Sequence, residues 1–98
     1  MAKKINLRKE ANGRDCQIRS KKCNHNPETT VLCHPHKPSI SGGMGLKAPD
    51  EIGAWGCSAC HDWVDGRSDI ADSRVERDVV FYEGVFRTQI ILKDEGKL

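Results

Sequence analysis

Long apolar runs are missing from these 98 residues, and with them any candidate for a bilayer span, which needs about 20 consecutive apolar residues. Met1 to Lys9 also lack the apolar core of a secretion signal. Aromatics are scarce, at two Trp, two Phe and one Tyr, and apolar residues reach only 37 % against 31 % charged. A single domain of this length buries about 60 to 70 % of its unfolded surface, so the core is expected to be small. Five cysteines leave one over after any pairing. Without an export signal, thiols held reduced on a metal in the cytoplasm are expected rather than disulfides.

What is present is organised around Cys57-Ser58-Ala59-Cys60-His61, followed by Asp62 and Asp65. Two cysteines with two residues between them grip one ion from a tight turn. A second pair, Cys16 and Cys23, stands upstream, and four thiolates arranged as CxxxxxxC and CxxC close a tetrahedral zinc site. The metal then supplies stability that so small a core does not, and the metal-free chain is expected to be poorly folded.

Along the chain, Asn6 is placed to cap a short helix over Leu7 to Ala11 that Gly13 ends. Cys16 to Arg19 alternates like a short strand, Ser20 to Asn24 reads as a turn, and Thr29 to Cys33 is β-branched and apolar, a strand that delivers His34 at its end. Pro35, Pro38, Gly42, Gly43, Gly45 and Pro49 exclude a long element after it, leaving a loop with a short return strand near Ser39 to Ser41. Asp50 is expected to cap a short helix through Trp55 that Gly56 breaks. A second helix from Ser58 to Asp65, stopped by Gly66, sets His61 and Asp65 on one face. Ser73-Arg74-Val75-Glu76 is a capping box opening the longest helix, through Val79, Val80, Tyr82, Val85, Phe86 and Ile90 to Gly96, with Gly84 marking a close contact.

Charge is unevenly spread. Residues 1 to 22 hold eight Lys or Arg (Lys3, Lys4, Arg8, Lys9, Arg14, Arg19, Lys21, Lys22) against Glu10 and Asp15, a local balance of +6 in a chain of net +2. Such an arm suits a polyanion such as DNA, and Lys3, Lys4, Arg8, Lys9 and Arg14 are its candidate contacts; a merely solvated basic terminus reads the same way.

Cys57, Cys60 and His61 also match the CxxCH of covalent haem attachment, but that chemistry follows export and leaves Cys16 and Cys23 without a purpose. A purely structural zinc knot is the plainer reading. Neither explains a histidine at a strand end. Cys33 is expected to be a small buried residue, His25 and His36 exposed loop residues, Trp55 and Trp63 core cover, and Arg67 and Arg87 solvated.

Strand-end histidine, glycine-rich loop and CxxCH opening a helix together resemble the ββα-metal motif of HNH endonucleases. More closely, Thr30-Val31-Leu32-Cys33-His34, Lys47-Ala48-Pro49-Asp50 and Gly53-Ala54-Trp55-Gly56-Cys57-Ser58-Ala59-Cys60-His61-Asp62 are similar to the YbcO-like nucleases of lambdoid prophages, and a phage RecA-dependent nuclease shares this core. Leu7-Arg8-Lys9-Glu10-Ala11 and Gly84-Val85-Phe86-Arg87-Thr88-Gln89 extend the resemblance over nearly the whole chain.

The resemblance implies that His34 is the general base that takes a proton from the attacking water. It implies that His61, with Asp65 one turn on, ligates a catalytic divalent ion such as Mg2+ or Mn2+. No Asn occurs between His34 and His61, so Asp50 stands nearest to the motif's asparagine, either orienting His34 or ligating the ion. The expectation is therefore one α+β domain over residues 1–98, a small zinc-stabilised ββα-metal (HNH-like) unit with a C-terminal helix. It would act as a metal-dependent endonuclease on DNA in the cytoplasm of a phage or prophage host. A recombinase filament on single-stranded DNA is a candidate partner, and no membrane is involved. The alternative is a non-catalytic zinc-dependent module that binds DNA or protein.

Overall fold

Asn6 opens the first helix, α1 (Leu7–Glu10), where its side-chain oxygen accepts from the Lys9 N–H at 3.3 Å. The computed structural model describes residues 5–35, 48–66 and 73–98. Lys3, Lys4, His36, Arg67 and the return strand expected near Ser39 to Ser41 lie outside them. α1 turns Leu7 and Ala11 inward, and Gly13 at φ +76 carries the chain away.

Two strands follow. β1 (Val31–Cys33) and β2 (Ala54–Gly56) pair antiparallel, with Val31 opposite Gly56, Leu32 opposite Trp55 and Cys33 opposite Ala54. The helix expected from Asp50 to Trp55 is not formed: a single 3-10 turn, Asp50–Ile52, leads into β2. The reason is tertiary. A β-carbon on Gly53 would lie 2.7 Å from Leu32 Cδ1, and one on Gly56 2.5 Å from Ile18 Cδ1, so these glycines admit neighbours to the sheet rather than break a helix. Nor does Asp50 cap that turn; Pro49 holds the cap position, without a side-chain bond.

Cys16 to Arg19 likewise forms no strand. One rung exists, from the Gln17 N–H to the Trp55 carbonyl at 2.7 Å, before Arg19 at φ +55 turns the chain off the sheet. The left-handed conformation costs a non-glycine residue of order 1 to 2 kcal/mol. It recurs at His25 (φ +56), so both bends occur beside Cys16 and Cys23.

α2 (Ser58–Val64) begins directly after β2, with Cys57 as its cap, and Gly66 at φ +78 follows its last turn. α3 (Arg74–Asp94) starts at the expected box, where Ser73 Oγ accepts from the Glu76 N–H at 3.1 Å. It buries Phe81, Gly84, Val85, Thr88 and Leu92, a spacing of three and four that lays one face across β2. Thr88 Oγ1 accepts from the Trp55 N–H at 3.0 Å and donates to the Gly84 carbonyl at 2.8 Å, tying helix to strand.

The core is small, as composition requires. Ile18, Cys33, Ala54, Cys57, Cys60, Phe81 and Val85 form one cluster, and Leu7, Ala11, Trp55 and Leu92 another. Trp55 and Trp63 are both buried, Cys33 too, all as expected. No helix among the described residues is long and apolar enough to cross a membrane.

Candidate metal centre and the histidine pairs

The sulfurs of Cys16, Cys23, Cys57 and Cys60 all lie within 4.8 Å of one another. Cys16 and Cys60 are 3.6 Å apart, and Cys23 and Cys57 are 3.8 Å apart. Four sulfurs about 2.3 Å from a zinc ion define a tetrahedron with edges of about 3.8 Å, so the quartet has the size that the ion demands. Hydrogen bonds converge on the sulfurs as they do on thiolates. Arg19 N–H donates to Cys16 at 3.4 Å, Asn24 N–H to Cys57 at 3.5 Å, Cys60 N–H to Cys57 at 3.3 Å and Ser20 N–H to Cys60 at 3.4 Å, while Ser20 Oγ lies 3.1 Å from Cys60 Sγ. The two left-handed residues aim the first pair of bends at this point.

The sulfurs of Cys16 and Cys60 share a hydrogen bond. The hydrogen bond between them holds Cys16 low, at about 4, and pushes Cys60 up, with burial also raising Cys60; burial raises Cys23. Cys33 stands apart from the quartet, its thiol pushed up by burial to about 12, an inert filler. Both thiols of the CxxCH string are in the quartet.

A clamp near the quartet was not legible in sequence. Asn24 Nδ2 donates to Thr29 Oγ1 at 3.3 Å and to Ser58 Oγ at 3.1 Å, and Thr29 Oγ1 accepts from the Ser58 N–H at 3.2 Å. These ordinary polar residues hold the upstream bends onto α2.

The remaining candidates fall into two pairs. His34, just past β1, places Nε2 2.7 Å from Oδ1 of Asp50, 16 residues on in the chain. That bond, ahead of the neighbouring Arg8 guanidinium, holds the Asp50 carboxyl below its usual range. An ionised carboxylate only accepts, so Nε2 is the donor in this pair. On α2, His61 Nε2 lies 3.5 Å from Asp65 Oδ2, with the His61 side chain one-third exposed. Among the described residues the four cysteines are the one group of three or more His, Cys, Asp or Glu side chains close enough to share an ion.

The basic arm divides as well. Arg14 directs both Nη atoms to Glu95, at 2.6 and 2.7 Å, and also bonds Glu10 at 3.2 Å. Its guanidinium stacks 4.6 Å over the Trp55 ring, which makes it a brace between α1 and the end of α3. Lys9 is exposed on α1; Arg87 donates to the Gln17 carbonyl at 2.8 Å.

A family model described as "Putative nuclease YbcO" matches residues 5–97. The chain is 45 % identical over 91 residues to "Putative nuclease YbcO" of Escherichia coli (strain K12), covering 92 % of this chain and 93 % of that one. It is equally similar to "Putative nuclease ybcO" of Enterobacteria phage 82. A solved structure described as "Structure of a putative bacteriophage protein from Escherichia coli str. K-12 substr. MG1655" superposes with a TM-score of 0.74 at 41 % identity, covering 93 % of this chain and 100 % of that one.

Proposed function

The chain belongs to the YbcO family, and we propose that it is a metal-dependent endonuclease of HNH type that hydrolyses DNA phosphodiester bonds with His34 as general base. The observation that carries the reading is the 2.7 Å bond between His34 Nε2 and Asp50 Oδ1. A carboxylate fixes the ring and its tautomer and favours the imidazolium that forms when Nδ1 takes a proton from water. The water oxygen then bonds to phosphorus as the bond to the leaving oxygen breaks. The reading is supported by chain order: β1 with His34 just past it, then β2, then α2 with His61, as a ββα-metal unit would have.

Four thiolates leave a zinc ion no open position, so zinc serves the fold and the chemistry needs a second ion. His61, one-third exposed, offers one nitrogen to a divalent ion, and Asp65, whose side chain is only 9 % exposed, stands 3.5 Å behind it. Such an ion, Mg2+ or Mn2+, would stabilise charge on the phosphate and the leaving oxygen. The basic residues of the first 22, Lys9 among them, would attract the polyanion.

The test is cleavage of duplex and single-stranded DNA by purified protein with Mg, Mn, Ni or Zn, with and without a recombinase filament. Cleavage that His34→Ala abolishes supports the reading. DNA binding with no cleavage under any of these conditions replaces it with the binding module.

A further inference from the structure

We infer that Arg8 grips the scissile phosphate beside His34, a role that rests on the nuclease reading and adds the group that holds the substrate's charge. Asp50 Oδ1 is contacted from two sides, by His34 Nε2 at 2.7 Å and by Arg8 Nε at 3.5 Å. A guanidinium has five N–H donors in a planar fork. The ion pair is through Nε, and four further N–H donors stand on the two Nη atoms. The Arg8 side chain is 56 % exposed, so the side chain as a whole is open to a ligand from solvent.

Its support is rigid. Leu7 and Ala11 are buried in the cluster with Trp55 and Leu92, which pins α1 against β1 and the Asp50–Ile52 turn and fixes the neighbouring Arg8 at the dyad. Arg14, the next arginine of the arm, is committed to Glu10, Glu95 and the Trp55 face, leaving Arg8 as the arginine positioned here. A planar fork that spans a carboxylate on one edge and a phosphate on the other is a task that lysine, a single point of charge, cannot perform.

The experiment measures binding and cleavage separately. Anisotropy of a labelled DNA duplex is followed over a salt series in the His34→Ala background, with and without Arg8→Gln. Loss of one phosphate contact lowers the slope of log K against log salt by about 0.9. In the otherwise native chain, Arg8→Gln reduces kcat/KM by about 10² to 10³-fold, while zinc content and melting temperature hold. Should Arg8→Gln lose zinc or melt early, Arg8→Lys decides: a phosphate grip predicts slower cleavage with the slope kept, and a plain surface ion pair predicts cleavage unchanged. An unaltered slope with cleavage at the native rate overturns the grip and leaves the nuclease reading standing. A slope that falls in a protein that never cleaves DNA overturns the nuclease reading and keeps the phosphate contact. Absence of salt-dependent binding overturns the grip.

Discussion

Gly84 of α3 presses so close to Ile18 that a β-carbon there would lie 2.9 Å from the Ile18 Cα and 3.2 Å from the Gln17 carbonyl oxygen. Both neighbours are backbone, which cannot swing aside. In an open helix Gly84→Ala would add about 1 kcal/mol; here it is expected to cost about 1 to 3 kcal/mol instead. Urea unfolding midpoints of the two proteins check the sign.

The quartet predicts a contrast among cysteines. Cys16→Ser, Cys23→Ser, Cys57→Ser or Cys60→Ser should each drop bound zinc below one per chain and abolish the cooperative thermal transition, since structural zinc contributes about 10 kcal/mol or more. Cys33→Ala should keep a full zinc and lose only about 1 to 2 kcal/mol. Metal analysis by mass spectrometry alongside circular dichroism reads both.

For the dyad, His34→Ala is expected to remove cleavage by a factor of about 10² to 10⁴ while zinc content and melting temperature stay near native. Asp50→Asn keeps the shape but loses the carboxylate that fixes the tautomer, and should fall in the same direction. Single-turnover rates on labelled DNA measure each, and a native rate in His34→Ala would remove the base assignment.

Arg14, through its bond to the carboxylate, holds Glu95 down to about 2 from an ordinary 4.5. A depressed carboxyl stabilises the fold above its unfolded value and loses that contribution as pH falls through 4.5 towards 2. The urea midpoint of the native chain should therefore exceed that of Glu95→Gln at neutral pH, and the gap should narrow below about pH 4.5. Protonation of the thiolates acts on both proteins and cancels in the difference.

The parts legible in sequence were those set by covalent spacing or local capping. Cys16, Cys23, Cys57 and Cys60 declare themselves because ligand chemistry permits few alternatives, and Ser73 and Asn6 because an N-cap is a local bond. Gly84 was legible as a contact without its partner. β2 was misread as helix because its three residues contain one good strand former, Trp55, and owe their conformation to β1, Thr88 and the space that Gly53 and Gly56 leave. Cys16 to Arg19 carried the alternation of a strand, yet its backbone bends to serve the sulfurs. His34 and Asp50 stand 16 residues apart, and local pattern does not pair them; the resemblance alone named Asp50 as orienting His34 or ligating the ion. Arg14 was read by charge alone, and a string of letters does not show the bonds it makes to Glu10 and Glu95.

Cys23 and Cys57 are 34 residues apart, and once one ion holds both, the segment between them becomes a closed ring. Both members of the dyad, His34 and Asp50, belong to that ring. Closing a ring of this size removes about 4 kcal/mol of chain entropy from the unfolded ensemble. A chelator strong enough to take an ion from the four cysteines is therefore expected to open the ring and scatter the dyad. On the proposed reading, recovery after chelation is expected to need both ions, zinc to close the ring and a second divalent ion for turnover.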